Sequence, residues 1–191
     1  EYPKSRHWVG LGALLKTLVH KNFQSTLLPQ ANRDYDKQEF FPRPCYACLR
    51  QCPYDIKLVT GKHAGTHISM NGGTEHFEGA AYTFGVTGPD VFYLADTINR
   101  FGIEASHFGC AAGLAFEAFE KGLITTKETD GLELKWGDAE VVEKLIGKVA
   151  RREGWLANII ADGVKVTTEK IGGDARKYSV HVKGGAPAMH D

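Results

Sequence analysis

The sequence is poor in most of the features that give a function away. Cysteine is scarce, four in 191 residues, too few for a disulfide-stapled secreted scaffold, which is small and cysteine-dense. Neither sign of charge dominates, with Lys+Arg and Asp+Glu at 23 each. Nucleic-acid binders concentrate positive charge, so a polynucleotide is not an expected partner. No apolar run approaches the roughly 18 residues that span a bilayer, so no membrane partner is expected either. There is no fixed-period repeat, no low-complexity tract and no clear linker. An initial methionine and the charged-then-apolar opening of a signal peptide are also missing. Opening on "EYPKSRHW" and closing on "GGAPAMHD", the chain is expected to be an interior piece of a longer protein.

What is present is ordinary globular composition, 42% apolar and 10% aromatic, in a length that buries roughly 70% of its unfolded surface. Periodicity predicts a mainly α fold with a few short strands. Leu11, Leu14, Leu15, Leu18 and Val19 recur at helical spacing within residues 9–23. A polar loop, "QANRDYDKQEFFPRP", follows. "IKLVTG" (56–61) and "THISM" (66–70) read as strands. Residues 88–102 form a strong helical pattern, with Pro89 at its first position, Gly102 at its end, and Val91, Leu94, Ala95, Ile98 and Phe101 on its apolar stripe. A helix over about Cys110 to Lys121 comes next, closed by Gly122. "TDGLELKWGD" reads as an extended excursion with a turn at Asp130-Gly131. Asp138 then caps a helix lined by Val141, Val142, Leu145, Ile146 and Val149. Two shorter helices, "WLANIIADG" and "VKVTTEKIG", and a terminal strand in "KYSVHVKGG" complete the chain.

Three of the four cysteines fall in eight positions. Cys45, Cys48 and Cys52 have the spacing C-x2-C-x3-C, which brings three sulfurs together on one face of a helical or turn-like segment. Three converging thiolates are soft ligands that suit an iron–sulfur cube or zinc. Structural zinc takes its remaining ligands as a second close pair, and none accompanies this triplet. A [4Fe–4S] cluster with one distant ligand fits better, in a reducing, cytoplasmic setting. A disulfide within the triplet is the plain alternative.

Around the triplet stand "KNF" (21–23), "HFEG" (76–79), "NRFGIEASHFG" (99–109), "AFEAFEKGLIT" (115–125), "DGLELKWGD" (130–138), "LIGKVARREG" (145–154) and "VHVKGG" (180–185). In this order, from about residue 17 to the end, the chain resembles the aldehyde:ferredoxin oxidoreductase family of tungsten, sometimes molybdenum, enzymes. The resemblance implies two helical units. Residues 1–125 would be the middle domain, carrying the cluster cysteines and one pterin motif. Residues 126–191 would start the C-terminal domain. A bis-pterin domain and the fourth cluster ligand, in a "DxxGLC" motif, would lie outside this sequence.

Residue by residue, the resemblance puts Cys45, Cys48 and Cys52 on the cluster. The family's pterin-contacting "DxxGLD" reads "NRFGIE" here, so Asn99 and Glu104 stand at its two acidic positions. A glutamate that the family places near the metal falls on Glu78, with His76 and His107 as added proton donors. Cys110, expected at a helix start where backbone amides favour a thiolate, is the one cysteine free to join the metal, as a cysteine does in the tungsten subunit of class II benzoyl-CoA reductase. The remaining histidines, His7, His20, His63, His67, His181 and His190, read as surface or packing residues.

The expected enzyme oxidises aldehydes to carboxylic acids, and its electrons leave through the [4Fe–4S] cluster to ferredoxin or a partner subunit. A homodimer is possible for such a protein. Reduction of an aromatic acyl-CoA is the alternative that Cys110 favours. A [4Fe–4S] electron-transfer module without pterin, and a zinc-stapled interaction domain, are rivals from other classes.

Overall fold

The computed structural model describes residues 18–26, 37–47, 53–70 and 75–188. The described chain opens with a small antiparallel pair, β1 (Val19–His20) and β2 (Ser25–Thr26). The periodicity of residues 9–23 predicts a helix, and its described part, from Leu18 on, is not one. Lys21, Asn22 and Phe23 all have positive φ, 51°, 48° and 66°. That conformation ends any right-handed helix and turns the chain back on itself. Residues 9–17 lie outside the described part.

A three-stranded antiparallel sheet follows, β3 (Glu39–Pro42), β4 (Tyr54–Lys57) and β5 (His67–Met70), in that spatial order. The polar-loop reading of residues 30–44 missed β3, whose Phe40 packs on the core between Tyr54 and Phe92. Tyr54 and Ile56 on β4 and Ile68 and Met70 on β5 are buried, the alternation of a sheet with one face covered.

Six α-helices among the described residues make up most of the rest. A short one, α1 (Glu75–Ala80), leads through a 3-10 turn (Tyr82–Phe84) to α2 (Asp90–Arg100). Asp90 lies in the first turn of α2 and Arg100 in the last, each matching the sign of the helix dipole at its end. Val91, Leu94, Ala95 and Ile98 are buried as the pattern predicts, whereas Phe101 is 47% exposed. The fourth cysteine belongs to α3 (Ala105–Glu120), which starts five residues before the predicted Cys110. This helix is buried nearly all round, from Ala105 to Ala118, which marks it as the centre of the core. It packs against α1 and α2 at one end.

Beyond it come α4 (Ala139–Arg151), α5 (Trp155–Ala161) and α6 (Val164–Ile171). Asp138 caps α4 as predicted, accepting from Glu140 N at 3.0 Å and Val141 N at 3.1 Å. The predicted turn at Asp130-Gly131 is present, with φ of 51° and 81°. The predicted terminal strand is not. Residues 173–177 form a 3-10 turn, and only an isolated bridge, Val182 to Gly185, follows. The buried apolar side chains form one cluster that runs from Leu18 to Val164. No helix among the described residues is long and apolar enough to cross a membrane.

Candidate functional site

The cysteine triplet falls in the connection of a β-hairpin. The β3–β4 ladder pairs Phe41 with Asp55 and Pro42 with Tyr54. Arg43 N then donates to Pro53 O at 3.0 Å, so the two ends of residues 44–52 meet at one neck. Cys45 sits just past that neck, reduced and exposed. Beside it Tyr46 is fully exposed and Ala47 takes a left-handed φ of 54°. Cys48 and Cys52 lie outside the described residues, and no metal-ligating group of three or more side chains forms among the described ones. A thiol donor at the mouth of a closed hairpin, with two more within the same connection, is a donor set that fits an iron–sulfur cluster.

A second gathering of predicted residues lies where α1, α2 and the start of α3 meet. Helix α1 approaches α3 so closely that a Cβ on Gly79 would overlap the backbone carbonyl of Ala105. That contact seats Glu78, which is fully buried, although an isolated glutamate in "HFEG" reads as a surface residue. His76, on the same helix, reaches α2, where its Nε2 lies 3.1 Å from Asn99 Oδ1. Its Nδ1 is buried with no hydrogen-bond partner among the described residues, an arrangement that costs roughly 1–3 kcal/mol while it lasts.

Glu104 is the N-cap of α3. Its carboxylate accepts from Ser106 N at 3.1 Å, from His107 N at 2.6 Å and from His107 Nδ1 at 2.6 Å. Partial burial pushes this carboxyl up, but the hydrogen bonds from His107 and Ser106 outweigh it and hold it below the usual range. A carboxylate offers about four acceptor sites, so one stays available to a further donor. Asn99, with Oδ1 engaged, keeps its two N–H donors. Both positions therefore fit contact with a pterin edge while serving their own helices.

Cys110 departs from its expected setting. Because α3 begins at Ala105, the cysteine lies in its second turn, past the amides that favour a thiolate. It is 1% exposed and part of the hydrophobic core. Burial, then the negative charge of Glu104, pushes its thiol up to about 12. As it stands, this is the environment of a small buried hydrophobe.

Two features escaped the sequence reading. One is a cleft of about 420 Å³ between α2 and α4, lined by Lys62, His63, Asp90, Tyr93, Trp136 and Glu143 among others and by none of the predicted site residues. Much of its chemistry is satisfied internally: Lys62 pairs with Glu140 at 2.7 Å, Tyr93 donates to Glu143 at 3.0 Å, and His63 stacks on Tyr93 at 3.5 Å. The other is a buried polar tie. Asn22 Nδ2 donates to Glu117 Oε2 at 2.7 Å and to Tyr178 O at 3.0 Å, fixing the β1–β2 turn to α3. Its only sequence signal is the asparagine of "KNF", a residue that tolerates positive φ.

The family profile described as aldehyde ferredoxin oxidoreductase, domains 2 & 3, matches residues 5–191. The chain is 31% identical over 179 residues to the aliphatic sulfonate oxidoreductase, WOR-like subunit, of Pyrococcus furiosus, covering 90% of this chain and 27% of that one. To the tungsten-containing aldehyde ferredoxin oxidoreductase of the same organism it is 27% identical over 161 residues, covering 80% and 25%. Its fold is also that of a chain in the BamBC active-site complex of benzoyl coenzyme A reductase with 1,5-dienoyl-CoA, with a TM-score of 0.67 and 19% identity over 85% of this chain and 25% of that one. The chain thus spans about a quarter of the length of these relatives. Over its described helices and nearly its whole sequence, it belongs to the aldehyde ferredoxin oxidoreductase family.

Proposed function

We propose that this chain contributes the iron–sulfur loop and one wall of the metal site to a tungsten, or molybdenum, bis-pterin enzyme that oxidises aldehydes to carboxylic acids. Residues 1–125 carry both features in this reading, and residues 126–191 open the next helical unit. The observation that carries it is the α1–α2–α3 junction, where Glu78, His76, Asn99, Glu104 and His107 are brought to one place by helices of an aldehyde ferredoxin oxidoreductase fold.

Cys45, Cys48 and Cys52 would hold three irons of a [4Fe–4S] cluster, with the fourth ligand supplied from outside residues 1–191. Asn99 and Glu104 would hold one pterin. When bound, the metal-pterin group supplies oxygen transfer and takes up an electron pair. Oxidation of an aldehyde, with water supplying the oxygen atom, yields the acid, two protons and two electrons for the acceptor. A cluster held by the three cysteines would supply a path by which the electrons pass singly to a ferredoxin or a partner subunit. The chain's own task is the protons. Glu78, buried beside the junction, would receive one from the water that adds to the aldehyde. His107, 54% exposed and bonded to Glu104, leads outward to solvent.

Reduction of an aromatic acyl-CoA is less well supported, because it would use Cys110 as a metal thiolate and Cys110 is packed into the core. Anaerobic purification of the protein that carries this chain, with metal analysis and X-ray absorption at the tungsten edge, tests the proposal. Tungsten or molybdenum with about four sulfur neighbours, and aldehyde-dependent reduction of ferredoxin, is the expected result. Absence of both metals would overturn it. A fifth sulfur neighbour would return Cys110 to the metal and favour the acyl-CoA reaction.

A further inference from the structure

We infer that Asn99 holds His76 in the neutral form that carries its proton on Nε2, so that Nδ1 is presented as a proton acceptor at the junction of α1, α2 and α3. The contact is Nε2 to Asn99 Oδ1 at 3.1 Å. An amide oxygen only accepts, so the ring nitrogen donates. A neutral imidazole then has a lone pair on its other nitrogen. A protonated ring would instead put a buried N–H where no acceptor stands, because Nδ1 is buried and without a hydrogen-bond partner among the described residues. It would also bury a charge against a neutral amide, which is costly.

The surrounding charges agree. The titratable residues of the packed elements, besides His76, are Glu75 and Glu78 on α1, Asp90, Tyr93, Asp96 and Arg100 on α2, and His107, Cys110, Glu117 and Glu120 on α3, with Glu104 as its cap. Asp96 is engaged by Arg100 at 2.5 Å and Glu104 by His107 at 2.6 Å. No carboxylate among the described residues is hydrogen-bonded to the His76 ring. An aspartate at position 99 would bond the same nitrogen, favour the imidazolium, and leave Nδ1 a donor. With asparagine there, the ring stays ready to take a proton. Asn99 is in this sense a positioning residue, acting through His76. The proton-acceptor role rests on the function proposed above; the ring's proton pattern does not.

The test uses the purified protein with ring-15N histidine and magic-angle-spinning NMR at neutral pH, the His76 signals being identified by their loss in His76→Gln. A bare Nδ1 and a protonated Nε2 are expected. In Asn99→Asp both nitrogens should be protonated, and in Asn99→Leu the ring should divide between its two neutral tautomers. A protonated Nδ1 in the unaltered protein would overturn the inference, and so would spectra that neither variant changes. Turnover read on the same preparations separates the two layers. His76→Gln should lower kcat by about tenfold or more with metal content unchanged. An unchanged kcat would overturn the acceptor role, whereas a protein holding neither tungsten nor molybdenum would overturn the function and leave the tautomer assignment standing.

Discussion

Gly79 faces the carbonyl of Ala105 with no room for a side chain between them. Two helices can approach this closely only where one contributes no Cβ, and here the approach sets Glu78 and the capped end of α3 side by side. Backbone does not yield as a flexible side chain does. Gly79→Ala is therefore expected to cost about 2–3 kcal/mol, the upper part of the range for overpacking. Denaturant unfolding of the variant measures this directly. A midpoint equal to that of the unaltered protein would mean that the helices can part freely.

Glu104 should make stability depend on pH in one direction. Its carboxyl is held below the usual range in the fold, chiefly by His107. Its contribution is therefore present above the unfolded carboxylate pKa and is lost as pH falls through the lower folded value. Glu104→Ala should remove about 1 kcal/mol at neutral pH, the worth of an N-cap, and flatten that acid limb. Parallel acid-unfolding curves for the two proteins would contradict the capping role.

Asn22 has a cost that depends on what replaces it. Leucine would remove both hydrogen bonds and leave the Glu117 carboxylate buried and 6% exposed without its donor. About 2–3 kcal/mol is the expected loss. Asn22→Leu/Glu117→Leu should recover part of it, because the orphaned acceptor is then gone. Thermal or denaturant unfolding of the double and single variants decides.

The two described cysteines should differ sharply towards alkylating agents. In cluster-free protein at pH 8, Cys45 is exposed and should react readily. Cys110, its thiol pushed up to about 12, presents about one thiolate in ten thousand and almost no access. Mass spectrometry after iodoacetamide treatment should find Cys110 unmodified until denaturant is added. Rapid modification in the native state would place it in an open environment.

How far the sequence could be read depended on whether a local signal faced competition. The stripe of α2, Phe101 apart, and the Asp138 cap of α4 met none, and both appear where the pattern puts them. Leu18 and Val19 fit a helical period equally well as part of a buried strand pair, and the left-handed turn at Lys21–Phe23 decided for the strand. The start of α3 was hidden because Glu104, rather than a serine or aspartate, serves as its cap. Phe40 and Phe41 were hidden in a polar stretch, and β3 forms because β4 is there to pair with it. At the candidate site the motif words pointed to Glu78, Asn99 and Glu104. That His76 reaches Asn99, and that Cys110 turns inward, follow from helix packing, which no spacing along the chain encodes.

The Arg43–Pro53 backbone bond has a consequence for biogenesis. The neck of the cysteine hairpin is closed by main-chain pairing, which requires no metal. The sheet and its neck therefore need no metal to form, and Cys45 is held at one end of that scaffold. A cluster held there as proposed would be loaded after the neck has closed, and its loss would leave the neck's main-chain bond in place.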